Sequence, residues 1–233
     1  MHLLAFDTST ETLSVAVQRG TAVWEHTGPG GAQASRGLIA TIEALLAQAG
    51  LELGQLDALV FGQGPGSFTG LRTACAVAQG LAYGASGTRA LPVLPIDTLS
   101  ALAQAARDAH GCTAVVAVLD ARMDEVYAAH LQWQQDRWHM PWGPQLCAPE
   151  HVPVPAGWTV AGNAQAAYGA RLAPEAHHVA ALPTARALLQ LAPAWLAAGR
   201  ATDARGALPL YLRDKVAQTT AERAALRAGT VAP

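Results

Sequence analysis

The chain has 233 residues, of which 51% are hydrophobic and 14% charged, with a formal net charge of −2. That is enough apolar chain for one large or two small domains with a real core, which excludes a disordered protein, and the charge balance argues against a broad basic face for nucleic acid. No apolar run reaches the roughly 18–20 residues that span a bilayer, the start Met1-His2-Leu3-Leu4-Ala5-Phe6-Asp7 lacks the basic opening of a secretory signal, and three widely spaced cysteines (Cys75, Cys112, Cys147) suit a reduced, cytoplasmic protein.

Residues 3–6 are a short apolar run ending at Asp7 and predict a buried strand. Asp7-Thr8-Ser9-Thr10-Glu11 has turn chemistry. Leu13, Val15 and Val17 then alternate with polar or small residues, the period of a second strand, and Gly20-Thr21 turns the chain into a third over 22–24. After the Gly28-Pro29-Gly30-Gly31 break, Leu38, Ile42, Leu45, Leu46 and Ala49 recur at helical spacing, predicting a helix over 33–49 with Gly50 as its stop. A strand at 56–61 leads through the glycine-rich loop Gly62-Gln63-Gly64-Pro65-Gly66-Ser67 into a helix over 69–83 rich in small residues. Pro92 and Pro95 mark residues 91–95 as an edge strand, and Asp97 or Thr98 caps a helix to about 109.

At Thr113 the pattern restarts: an apolar strand over 114–119, Asp120, a polar turn over 121–125 and a strand over 126–131. This repeats the opening unit, places Asp7 and Asp120 equivalently, and suggests an internal duplication. Strands alternating with helices predict an α/β fold of two similar lobes, 1–108 and 109–216, followed by a tail over 217–233. The five prolines and three tryptophans of 133–155 predict mostly loop, with a short strand over 158–161, His177-His178 in a polar loop, a helix over 184–198 bent near Pro193, and a short extended piece over 209–213.

The glycine loop is the first candidate for chemistry, since backbone N–H groups at a helix N-terminus favour an anion. It has neither the Gly-Lys-Ser/Thr of a P-loop nor Gly-x-Gly-x-x-Gly spacing, so a tight turn that needs close backbone approach stands beside the phosphate reading. Ser67 is no hydrolase nucleophile, because Pro65 and Thr69 stand where Gly-x-Ser-x-Gly needs glycines; Ser67 or Thr69 suits a helix cap. Asp7 and Asp120 either face a cleft and hold a metal–phosphate or close Asx turns on their own backbones. The eight histidines form no His-x-x-x-His and the cysteines no Cys-x-x-Cys, so local spacing offers no metal site.

The stretches Leu3-Leu4-Ala5-Phe6-Asp7-Thr8-Ser9-Thr10, Gly64-Pro65-Gly66-Ser67-Phe68-Thr69-Gly70-Leu71-Arg72, Pro95-Ile96-Asp97-Thr98-Leu99 and Leu119-Asp120-Ala121-Arg122-Met123-Asp124-Glu125-Val126-Tyr127 occur in this order. Together they resemble the bacterial TsaB (YeaZ) family, densely over 2–130 and thinly beyond. The resemblance implies an actin-like, RNase-H-like (ASKHA) two-lobed α/β fold with duplicated mixed-sheet lobes. It implies a non-catalytic dimerisation scaffold in the machinery that makes N6-threonylcarbamoyladenosine beside the anticodon of tRNAs reading A-starting codons. The expected partners are a TsaD-like subunit, which transfers the threonylcarbamoyl group, and a TsaE-like ATPase; alone the chain is expected to be a homodimer, with tRNA met only through the complex, no membrane, no cofactor and no metal.

The implied partner surface lies on the helices over 33–49 and 68–84, with Arg36, Leu38, Ile42, Leu45, Leu46, Phe68, Leu71, Arg72 and Cys75 as candidates. A charge at Leu45 is accordingly expected to break pairing while the chain stays folded. Asp7, Thr8, Ser9, Thr10, Gly64, Gly66, Ser67 and Asp120 are the candidates for a vestigial nucleotide cleft. Val160-Ala161-Gly162-Asn163-Ala164 stands where active actin-like kinases carry a Gly-Gly adenosine loop. The competing reading is an autonomous actin-fold ATPase or small-molecule kinase built on Asp7, Asp120 and the glycine loop.

Overall fold

The computed structural model describes residues 1–31, 34–85 and 90–213. The expected tail over 217–233 and the Arg36 side chain lie outside the described residues. The first sheet opens with an antiparallel meander, β1 (His2–Asp7), β2 (Thr12–Arg19) and β3 (Ala22–Pro29). On the other side of β1 lie two parallel strands, β4 (Ala58–Gly64) and the edge strand β5 (Val93–Asp97), giving the order β3-β2-β1-β4-β5. The second sheet contains β6 (Ala114–Arg122), β7 (Glu125–Gln134), β8 (Arg137–Cys147), β9 (Thr159–Gly162) and β10 (His177–Ala180), in the order β10-β9-β6-β7-β8. From the opposite edge it has the same topology: the first strand central, two antiparallel successors on one side and two parallel strands on the other. The duplication expected from the two strand-Asp-turn units is therefore carried by the whole sheet, and the fold is the two-lobed actin-like α/β architecture.

Period-2 alternation assigns the faces. Leu4 and Phe6 of β1, Val15 and Val17 of β2 and Leu59 and Phe61 of β4 pack with α1 (Ala34–Ala49) and α2 (Phe68–Gly84). Leu3 and Ala5, one residue out of phase, pack with Leu188, Leu189 and Ala192 of α5 (Ala185–Ala197). α3 (Thr98–His110) lies between the sheets: Ala101 joins the α5 cluster, while Leu99, Leu102, Ala103 and Ala106 pack on Val115, Ala117 and Leu119 of β6. The far face of the second sheet is covered by α4 (Ala164–Tyr168) and loops. Asp97 caps α3 by accepting from the Ser100 amide at 2.8 Å, and Gly111 ends it in the left-handed region at φ 71°.

Three expectations are corrected. Leu38, Ile42, Leu45, Leu46 and Cys75 are core residues of the first lobe, and Leu71 is buried beneath the glycine loop, so none presents a free apolar surface. The apolar stripe of α1 is one helix face, and the sheet takes all of it. The stretch 133–155 is not mostly loop but contains the eleven-residue β8. Its prolines are tolerated because β8 is an edge strand and its pairing with β7 slips between Gln145 and Trp142 and between Trp142 and His139, where Pro144 and Pro141 fall. His177 and His178 stand in β10 rather than in a loop. Residues 108 and 109 fall between the two sheets, while α5 covers the first sheet and Thr202 bridges to Val93 of β5.

Candidate functional site

The glycine loop closes on the β1–β2 turn. The Ser67 amide donates to Ser9 O at 2.7 Å, and the Thr8 hydroxyl donates to Gly70 O at 2.7 Å. A Cβ on Gly66 would stand 2.5 Å from Ser9 O, and one on Gly70 only 1.8 Å from Thr8 O. Gly64 sits at φ 115° with Leu210 O 2.8 Å from where its Cβ would be. The glycines are thus places where backbone presses on backbone, the tight-turn alternative of the sequence reading. Ser67 caps α2, its Oγ accepting from the Gly70 amide at 3.5 Å.

Asp7 is fully buried. Its Oδ1 accepts from the Ser9 amide at 2.8 Å and the Ser9 hydroxyl at 2.6 Å, while Oδ2 has no partner and lies against Gly62, whose hypothetical Cβ would be 1.8 Å away. Burial pushes its pKa up to about 6, against the lowering effect of the Ser9 bonds. The folded state therefore holds a proton that the unfolded chain releases near pH 4. This stabilisation is complete below about pH 4 and is lost as pH rises to about 6, a loss of roughly 3 kcal/mol. Asp7→Asn keeps an oxygen for Ser9, so its stability relative to the parent should improve by about 2–3 kcal/mol between pH 4 and pH 7 in paired urea titrations; a pH-independent difference contradicts this. Buried Asp97, also shifted up by burial, contributes equally to both proteins and cancels.

Asp120 makes the equivalent turn in the second lobe, Oδ1 accepting from the Arg122 amide at 2.8 Å and the Tyr168 hydroxyl at 2.9 Å, with the Arg122 guanidinium 3.0 Å from Oδ2. Burial, then the bond to Asp120, pushes the Tyr168 phenol up to about 12. Both aspartates thus close Asx turns. Thr10 does likewise, its hydroxyl accepting from the Thr12 amide at 3.2 Å.

Between the lobes lies a cavity of about 390 Å³. Ser9, Thr10, Gly66, Ser67 and Asp120 line it; Asp7, Thr8 and Gly64 lie behind that lining, held in the loop–turn contact. Asn163, from the stretch that the resemblance sets at the adenosine loop, also lines it, as do Tyr211 and Arg213, which the sequence reading missed. Asn163 Oδ1 accepts from the Asp120 amide at 2.9 Å, and its amide approaches Glu11 at 3.4 Å across the lobes. Nothing in local spacing marks these residues, because each acts on a partner distant in sequence.

Residues 29–167 match the family model described as TsaD, tRNA N6-adenosine threonylcarbamoyltransferase. The chain is 34% identical over 228 residues to the tRNA threonylcarbamoyladenosine biosynthesis protein TsaB of Escherichia coli, covering 93% of this chain and 96% of that one. It is 43% identical over 161 residues to the protein of the same name from Haemophilus influenzae, covering 65% and 66%. The chain belongs to the TsaB (YeaZ) family. The solved structure of YeaZ from Pseudomonas aeruginosa agrees, superposing with a TM-score of 0.84 at 39% identity over 91% of this chain and 99% of that one.

In this TsaB-family chain the interface candidates fall into separate groups. Phe68 and Arg72 sit at the cleft mouth, where Phe68 stacks on Tyr211 with centroids 5.3 Å apart, the Arg72 guanidinium lies 3.9 Å over the Phe68 ring and Arg72 Nε donates to the Tyr211 hydroxyl at 3.3 Å. The exposed side of α1 and α2 carries Ile39, Ala40, Ala44 and Ala47 beside Glu43 and Gln48 on one helix, and Ala76, Gly80, Tyr83 and Gly84 on the other. Cβ positions at Gly80 and Gly84 meet nothing within 4 Å. Small residues at i, i+4 and i+7 or i+8 leave both helix backbones open to close approach.

Proposed function

We propose that this TsaB-family chain is a non-catalytic scaffold of the tRNA N6-threonylcarbamoyladenosine modification complex, working in the cytoplasm. It pairs with a TsaD-like subunit, supports a TsaE-like ATPase, pairs with its own copy when the partner is missing, and meets tRNA only through the complex. The observation that supports this reading is that the groups an actin-like kinase would turn toward nucleotide are engaged by their own fold, Asp7 through one carboxylate oxygen and Asp120 through both. Asp7 Oδ1 and Asp120 Oδ1 bond their own turns, and the space beside Gly66 and Gly70 is filled by the backbone of Ser9 and Thr8. The exposed small-residue face of α1 and α2, with Ile39 49% and Tyr83 59% accessible, supplies a surface for pairing without core residues.

Ala44 is exposed while its neighbour Leu45 is core, so a charge at Ala44 separates pairing from folding. Ala44→Arg should leave the melting temperature unchanged and weaken association with a co-expressed TsaD-family subunit by about a hundredfold, read by light scattering after gel filtration. Undiminished pairing by this variant and by Gly80→Arg would remove the α1–α2 face from the interface.

A further inference from the structure

We infer that residues 207–213 form a clasp across the cleft mouth, tying the first-lobe glycine loop to the second-lobe turn 121–125 and limiting how far the lobes part. The inference stands apart from the pairing proposal, since it concerns the isolated chain. One end of the segment is fastened to the first lobe. The Leu210 amide donates to Gln63 O at 2.9 Å, the Gln63 side-chain amide donates to Leu208 O at 3.0 Å, and the Gln79 side-chain amide donates to Ala207 O at 3.1 Å. Tyr211 adds its stack on Phe68 and its bond from Arg72.

Two residues later the chain belongs to the other lobe. Leu212 packs on the core between α3 and the second sheet. The Arg213 guanidinium donates to Ala121 O at 3.1 Å, Arg122 O at 3.2 Å and Glu125 Oε2 at 2.7 Å, with only 15% of its side chain accessible. These bonds hold a turn that the backbone alone disfavours, because Arg122, Met123 and Asp124 lie at φ 61°, 55° and 64°, three successive left-handed residues without a glycine. Leu210, Tyr211, Leu212 and Arg213 all line the interlobe cavity, so the segment that joins the lobes is also a wall of the space between them. If the clasp is one unit, loosening either end should be felt at the other.

Amide hydrogen exchange of the full chain tests this. Arg213→Ala should speed exchange about tenfold not only over 121–125 but also at the Leu210 and Ser67 amides, which Arg213 does not touch. Tyr211→Ala, whose ring contact and hydrogen bond are to the first lobe, should speed exchange over 121–125 by a similar factor. Should Arg213→Ala fail to fold, the Tyr211 variant decides alone. Acceleration confined to the mutated end in either folded variant would overturn the clasp and leave two separate local staples.

Discussion

Gly70→Ala should lower unfolding stability by at least about 3 kcal/mol, enough to abolish the folded state of a marginally stable chain. A Cβ at this position falls 1.8 Å from Thr8 O, and the obstacle is backbone of the β1–β2 turn, which no rotamer change relieves. Moving that turn also breaks the Thr8 hydroxyl bond to Gly70 O and disturbs the Ser67–Ser9 backbone bond. Overpacking at a close backbone contact therefore adds to lost hydrogen bonding. Gly80→Ala, ten residues along the same helix, is the internal control. Its Cβ meets nothing within 4 Å, and alanine favours helix over glycine by about 1 kcal/mol, so this variant should be neutral or slightly stabilised. Urea unfolding of the two variants checks both signs. Equal stability of Gly70→Ala and the parent would show that the loop is free to move off the turn, as a ligand-binding loop needs.

The second large effect is at Leu45. Leu45→Glu should destabilise the protein by about 4 kcal/mol and leave most of it unfolded, because the side chain is 4% exposed within the α1–sheet core and a carboxylate there has no partner. This reverses the expectation that a charge at Leu45 acts only on pairing. Circular dichroism and gel filtration decide it: a monodisperse, cooperatively melting Leu45→Glu protein would mean that α1 turns a different face to the sheet.

The contrast between Leu45 and Ala44 shows where sequence reasoning reached and where it stopped. The repeat of apolar run, aspartate, polar turn and strand at residues 3 and 114 was legible because a buried strand leaves an uninterrupted apolar stretch and an Asx turn needs a short acid next to it. Gly50, Ser67 and Asp97 were legible as helix ends for similarly local reasons. The free face of α1 and α2 was not, because alanine and glycine give almost no hydrophobic contrast and attention goes to the leucines, which the sheet buries. β8 was missed because its prolines sit at register slips and its tryptophans show no clean alternation. The clasp was invisible for another reason: Arg213 meets Ala121 and Glu125, and Leu208 meets Gln63, across separations that only the folded topology closes.

The central claim is that the cleft's acids and glycines serve the fold and not a nucleotide. Calorimetric titration of the isolated chain with ATP·Mg²⁺ tests it most directly. The structure predicts no saturable binding up to about millimolar concentration, the weak end of ordinary ligand affinities. Stoichiometric binding at about micromolar concentration, lost in Asp120→Asn while the fold is kept, would contradict the scaffold account and favour an actin-like ATPase or kinase.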